Sequence, residues 1–347
     1  MTGEQRMLAA CRRGPVDATP VWFMRQAGRC LADYRELKKR YDIITMAKTP
    51  ELSAQITLMP IDAFGVDAAV MFADIMLPME AMGVSYVIEP EIGPIIANPI
   101  ASAADVERLQ VVDAEEATPY VLEAIRLVKR ALSGRAALVG FSGAPFTLAS
   151  YLIEGRPDPT RTFVRAKALM SAQPKVWHQL MATLTEVIIR YLKGQIAAGA
   201  QVIQLFDSWV GSLTPTEYEQ FVLPYSRRIF DAISRADVPT IHFGTETTGI
   251  LELMATAGSD LISVDWRIPL DRAWQRIGYD HGIQGNLDPN LLLAPYPTAQ
   301  AGAATVLAQA GGRPGHVFNL GHGVLPDTNP ADLARLVDFV HTQTARN

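Results

Sequence analysis

Eight times along this chain a short apolar run is followed at once by polar or glycine residues. The runs cover residues 21–24, 68–72, 137–141, 202–206, 240–243, 261–264, 281–283 and 317–320. Seven of them are apolar and rich in β-branched or aromatic side chains, as strands of a parallel sheet buried on both faces should be. The weak one, 281–283, is accepted for its spacing and for the Gln284-Gly285-Asn286 that follows it. Helical patterns lie between most runs. Thr49 precedes Pro50 and Glu51, after which Leu52, Ile56 and Met59 recur at helical spacing. Thr214-Pro215-Thr216-Glu217 reads as a capping box with proline at the first helical position. Helix also fits 119–133, 174–198, 248–257, 298–310 and 331–344. Eight strand–helix units in about 320 residues predict an α/β fold, a (β/α)8 TIM barrel. No stretch reads as a linker, so residues 1–347 are expected to form a single domain. Residues 84–100 alternate loosely and read as a hairpin-like loop inserted after strand two.

A barrel of this kind places its chemistry at the carboxyl ends of the strands. Those ends carry, in order, Arg25 and Arg29, Asp74, Ser142, Asp207 with Ser208, Gly244, Asp265, Asn286 and His322. A doubly wound sheet shares many of these features; the count of eight is what favours closure.

Composition narrows the ligand. The net charge of −5 argues against a nucleic-acid binder, so any cationic site must be local. Cys11 and Cys30 are the only cysteines, which fits a reducing compartment rather than a disulfide framework. No stretch resembles a signal peptide, and no run of about 18 apolar residues suits a membrane span. The expected location is the cytoplasm, with no membrane partner. Gly311-Gly312-Arg313-Pro314-Gly315 precedes a strand instead of following one, which does not support a nucleotide fingerprint.

Arg25 and Arg29 flank Gln26-Ala27-Gly28 just past an apolar run. Two guanidiniums this close repel unless an anion lies between them, and Arg forks bind carboxylates bidentately. Ala27 and Gly28 are expected to leave room for a bulky ligand near the backbone. The competing reading is a solvated loop with its arginines paired to Asp33 or Glu36. For Asp74, residue type alone favours a helix N-cap. His322, between Gly321 and Gly323, is free to project into a site, whereas His242 inside strand five is expected to be core.

The stretch Pro20-Val21-Trp22-Phe23-Met24-Arg25-Gln26-Ala27-Gly28-Arg29 resembles a signature of the uroporphyrinogen decarboxylase family. A second stretch, residues 140–155, resembles that family's other signature. Shorter matches occur at Phe72-Ala73-Asp74-Ile75, Gln204-Leu205-Phe206-Asp207-Ser208, residues 284–289 and Asn319-Leu320-Gly321-His322-Gly323. They keep their order from about residue 4 to residue 342.

The resemblance implies a (β/α)8 barrel, a homodimer, and no metal or organic cofactor. It implies removal of CO2 from the four acetate arms of uroporphyrinogen III to give coproporphyrinogen III, in haem and tetrapyrrole biosynthesis. The substrate acts as its own electron sink, so a cofactor's usual work is unnecessary. By the same resemblance Asp74 accepts hydrogen bonds from the pyrrole N–H groups and stabilises a transient ring cation. Arg25, Gln26, Ala27, Gly28 and Arg29 then form one wall of the cleft. Tyr151 holds a carboxylate or orients Asp74, Ser208 donates to a propionate, and His322 contacts substrate. Who moves the protons stays open among Arg25, Arg29, His322, Tyr151 and water; of these His322 is expected to titrate nearest neutrality. Where the family often has Leu-Pro-Glu-Tyr, this chain has Leu31-Ala32-Asp33-Tyr34, which loosens the loop without losing charge. Cys30 is expected to be filler.

Two other functions share the fold. A corrinoid-linked methyltransferase would need late zinc-binding cysteines, and none follows Cys30. A non-catalytic tetrapyrrole carrier would need the charges but not the whole set of Asp74, Tyr151 and His322.

Overall fold

The computed structural model describes residues 1–89 and 92–346. Its strands are β1 (Ala68–Val70), β2 (Tyr86–Glu89), β3 (Gly93–Ile96), β4 (Ala137–Gly143), β5 (Val202–Asp207), β6 (Thr240–Gly244), β7 (Leu261–Ser263), β8 (Gly282–Leu287) and β9 (His316–Leu320). Seven of these form one parallel sheet in the order β1-β4-β5-β6-β7-β8-β9. Helices connect successive strands, and the sheet curls into a TIM-barrel-like α/β fold. β2 and β3 pair antiparallel, apart from that sheet, with Tyr86 opposite Ile96 and Glu89 opposite Gly93. Of the loop expected over 84–100, Pro90 and Glu91 lie outside the described residues.

The strand expected over 21–24 is not a ladder. It is a single parallel bridge between Val21 and Phe318. The reason is that side chains take its amide donors. Val21 N donates to Asp67 Oδ2 at 2.7 Å, Phe23 N to Gln26 Oε1 at 2.9 Å, and Met24 N to Asn319 Oδ1 at 3.0 Å. What remains of backbone pairing reaches both ways: Phe318 N donates to Pro20 O at 2.9 Å, and Asp67 N, just ahead of β1, donates to Val21 O at 2.8 Å. Asp67 is buried and also meets Arg6 Nη1 at 2.6 Å and His341 Nε2 at 2.8 Å. One carboxylate thus ties the chain's beginning, its first regular strand and its last helix.

The weak run at 281–283 proves to be the start of a longer strand. Asn286, expected just past a strand end, lies inside β8, and its amide donates to Asp265 O and Ile268 O. The helix expected over 248–257 is broken into a 3₁₀ turn, Thr247–Gly249, and a short helix, Leu251–Ala255; glycine inside a helical pattern weakens it. Two other expectations match closely. Pro174–Ala198 is one helix, and Thr214 caps Pro215–Phe221 by accepting from Glu217 N while the Glu217 side chain accepts from Thr214 N.

Behind the strand ends the interior is not wholly apolar. Trp22 Nε1 donates to Gln284 Oε1 at 2.9 Å, and Gln284 Nε2 donates to Gln204 Oε1 at 3.0 Å and to Ser263 Oγ at 2.9 Å. All four side chains are fully buried. The belt links the 21–24 segment to β5, β7 and β8 and gives the buried Trp22 and Gln284 donors the partners that burial requires.

Candidate active site

The arginine turn begins where the bridge at Val21 ends. Gln26 was expected to touch substrate, but its side chain is fully buried: Oε1 accepts from Phe23 N, and Nε2 donates to Ala68 O at 2.8 Å. It shapes the turn rather than lining the cleft. A Cβ at Gly28 would meet the Tyr34 ring at 3.2 Å, so the missing side chain lets Tyr34 pack against the turn. Ala27 is partly exposed. Arg25 and Arg29 both hold left-handed backbone, with φ of 58° and 46°. That conformation costs a non-glycine residue about 1 kcal/mol, and tertiary bonds to Gln26 and Asn319 hold the turn in place.

The turn is not the solvated, self-paired loop that was the alternative. Among the described residues neither Arg25 nor Arg29 has an acidic partner within 4.0 Å, and Glu36 pairs instead with Lys39 at 2.6 Å. Arg25 keeps solvent-accessible surface, yet protein crowds around its side chain. Loss of bulk water lowers its pKa, against the favourable charges of Tyr151 and Asp74. Burial and the charge of Arg25 lower Arg29 to about 10. Both remain cations at neutral pH, without a resident counter-ion.

Asp74 stands four residues past β1. Its Oδ1 accepts from Met76 N at 2.8 Å, closing an Asx-type turn. The helix that follows, Leu77–Ala81, has Met76 as its cap, so Asp74 is not the N-cap. The residue is half-buried and close enough to Arg25 to feel its charge. Desolvation raises its pKa, while the Met76 amide and the Arg25 charge pull it down.

Tyr151 comes from the helix Pro145–Glu154, which starts directly after β4. Its ring packs edge-on to Trp209, centroids 6.0 Å apart, and burial raises its hydroxyl pKa. Ser208 is the first residue past β5, and its carbonyl accepts from Thr245 Oγ1 at 2.5 Å. His322 lies two residues past β9, with its ring 6.4 Å from that of Phe243 on β6. Its flanking glycines are packing positions: a Cβ on Gly321 would fall 2.4 Å from Trp266 N, and one on Gly323 would fall 2.5 Å from Arg25 Cδ.

His322 does not titrate near neutrality. Burial, then the charges of Arg25, Arg161, Arg29 and Arg267, push it down to about 4. At neutral pH it is an uncharged imidazole, able to donate one hydrogen bond and accept another. That weakens its standing as a proton donor relative to the sequence-based expectation.

His242 is core, as expected, inside β6 and fully buried. Cys30 is buried and its thiol pKa is raised, which fits filler. Among the described residues no three His, Cys, Asp or Glu side chains gather as a metal site.

Two residues escaped the sequence reading. Arg161 and Arg267 both carry charge close enough to depress His322. Arg267 sits two residues beyond Asp265, at a strand end, so its position could have flagged it. Arg161 lies in an irregular segment where no periodicity points inward.

Arg25, Arg29, Asp74, Tyr151, Ser208 and His322 thus come from widely separated parts of the chain to one end of the sheet. The family model described as uroporphyrinogen decarboxylase matches residues 2–343. The chain belongs to the uroporphyrinogen decarboxylase family. It is 50% identical over 334 residues to the uroporphyrinogen decarboxylase of Carboxydothermus hydrogenoformans, covering 96% of this chain and 95% of that one. It is also 50% identical to the enzyme of the same name from Sorangium cellulosum, with 97% and 96% covered. The relative in Thermobifida fusca shares 50% identity across 99% of this chain and 94% of its own. Among solved structures, a methyltransferase from Methanosarcina mazei superposes with a TM-score of 0.82 at 24% identity over 99% of each chain. A B12-independent methionine synthase from Shewanella sp. gives 0.57 at 10% identity over 85% of this chain and 86% of that one. These two likenesses speak to the fold that the uroporphyrinogen decarboxylase family shares with other enzymes.

Proposed function

We propose that this chain is a uroporphyrinogen decarboxylase that acts without a cofactor, converting uroporphyrinogen III to coproporphyrinogen III by removing CO2 from its four acetate arms. One observation carries the reading: among the described residues two guanidiniums have no acidic partner within 4.0 Å, and one of them, Arg25, lies close enough to the half-buried Asp74 carboxylate for their charges to interact. An anionic ligand with a cationic or N–H-rich centre suits that arrangement. A tetrapyrrole with eight carboxylate arms and four inward N–H groups has both features.

In this reading Arg25 and Arg29 hold carboxylate arms, and Asp74 accepts from the pyrrole N–H groups. Protonation of the pyrrole carbon next to the one that bears an acetate makes a cation, delocalised onto the acetate-bearing carbon and the ring nitrogen. The electrons of the breaking C–C bond flow into that ring, and CO2 leaves. A second proton then reaches the exocyclic methylene and makes the methyl group, after which the ring carbon loses its added proton. Asp74 stabilises the cation throughout, at a site where water is scarce and charge interactions are strong. Tyr151 and Ser208 offer hydroxyls to the arms. Neutral His322 offers one hydrogen bond to a carboxylate. Arg25 and Arg29 stay charged, so water arriving along the arms is the better proton source.

The same reading takes 21–24 as the first stave of a closed (β/α)8 barrel in one domain over 1–347, with the β2–β3 pair inserted after the second stave. It places the protein in the cytoplasm as a homodimer. Both cysteines are buried with raised thiol pKa values, which leaves the zinc-thiolate chemistry of a corrinoid-linked methyltransferase without ligands.

The test is anaerobic incubation with uroporphyrinogen III, followed by oxidation and chromatography. Stepwise loss from eight carboxylates to four, unaffected by chelators, is the expected result. Binding with unchanged carboxylate number would leave a carrier, and a lasting chelator block would overturn the cofactor-free mechanism.

A further inference from the structure

Arg161 and Arg267 share one carboxylate. Arg161 Nη1 lies 3.2 Å and Arg267 Nη2 3.1 Å from Glu246 Oε1. Arg267 Nη1 also meets Asp265 at 2.6 Å, and Asp265 accepts from Glu246 N at 2.8 Å. The geometry resists a purely structural account. Glu246 and Arg161 both hold left-handed backbone, with φ of 59° and 54°. All three side chains are substantially exposed, at 48% for Arg161, 41% for Glu246 and 37% for Arg267. Exposed ion pairs add little to stability, less than two left-handed non-glycine residues cost. Strain that stability does not recover is found at ligand clamps.

Each arginine is one aromatic ring away from the proposed active site. Arg161 lies over the Trp209 ring at 5.5 Å, and Trp209 packs on Tyr151. Arg267 lies over the Trp266 ring at 4.3 Å, and Trp266 N closes on Gly321 beside His322. The rings hold the guanidinium planes while leaving their edges free to bind.

We propose that Arg161 and Arg267 form a second carboxylate subsite on the rim of the cleft, in addition to Arg25 and Arg29, with Glu246 as its resident counter-ion. This rests on the decarboxylase reading above and names the part of the substrate it concerns: arms of the tetrapyrrole that point outward while an inner acetate reacts. An arriving arm displaces Glu246 from one or both guanidiniums. Glu246 keeps the two cations oriented in the empty cleft and makes weakly anionic ligands poor competitors.

The experiment compares Arg161→Gln, Arg267→Gln and Glu246→Gln, with Arg130→Gln as a control for loss of an exposed charge far from the site. Initial rates give kcat and KM, and anaerobic quenching of tryptophan fluorescence by uroporphyrinogen gives a Kd that does not depend on turnover. Each arginine variant should raise KM and Kd about tenfold, as loss of one charge-assisted pair does. Most of the loss should appear in KM rather than kcat. Glu246→Gln should tighten both constants by a few-fold, and the control should leave them unchanged. An arginine variant with unaltered Kd would overturn the paired subsite, as would a Glu246→Gln variant that binds as poorly as the arginine variants. Wild-type protein that binds without losing carboxylates would sink the decarboxylase reading, while the Kd series would still decide the subsite.

Discussion

Arg25 lies across Gly323 so closely that any β-carbon there would sit 2.5 Å from its Cδ and 2.8 Å from its Cγ. The clamp at the start of the chain is therefore positioned by a glycine close to its end. Gly323→Ala should displace the Arg25 guanidinium while leaving the fold in place. The expected effect is a fall in kcat/KM of roughly ten- to a hundredfold, the usual result of misplacing a binding group by about 1 Å. Steady-state kinetics beside a circular dichroism melt would separate this from unfolding; unchanged kinetics would mean that Arg25 relaxes freely.

Asp74→Asn preserves the turn, because an amide oxygen can still accept from Met76 N. It removes the charge that the proposed ring cation needs. Turnover should drop at least about a hundredfold, or some 3 kcal/mol, with KM changed only a few-fold. Near-normal turnover would remove Asp74 from the centre of the mechanism.

His322 and His316 are both pushed down to about 4 by burial. Their folded values lie below the unfolded value of about 6.5, so the unfolded chain binds more protons between those limits. Stability should accordingly be full above pH 6.5 and decline as pH falls toward 4. Urea unfolding across that window should show it, and His322→Asn should lessen the decline without abolishing it, since His316 remains. A profile identical to wild type would mean that His322 is not depressed.

Asp67→Asn should destabilise the protein by roughly 3 kcal/mol, the scale for removing one partner of a buried charge pair. Arg6 keeps Asp17, but His341 and Val21 N lose their anionic acceptor. Chemical denaturation measures the loss, and an effect under about 1 kcal/mol would count against the tie.

The sheet was readable because buried parallel strands carry continuous apolar runs, and these need no knowledge of their partners. The 21–24 segment looked like the other runs and differs because Asp67, Gln26 and Asn319 intercept its amides; nothing local reveals an acceptor 295 positions away. The helix Pro145–Glu154 is buried on almost every side, so it shows no amphipathic period. Arg25, Arg29 and Asp74 were legible from their places at strand ends and from the motifs around them. At Gln26 the motif gave no hint that the side chain turns to the backbone, accepting from Phe23 N and donating to Ala68 O. The neutral state of His322 was out of reach, because two of the four arginines that enforce it lie outside every motif.

The tether of Met24 to Asn319 and of Val21 through Asp67 to His341 has a consequence for synthesis. Beside the arginine clamp, Met24 is made 295 residues before the Asn319 that takes its amide. Until Asn319 and His341 emerge, a nascent chain carries the clamp without the means to set it. Binding competence should arrive abruptly, once those two residues can reach the 21–24 segment and Asp67.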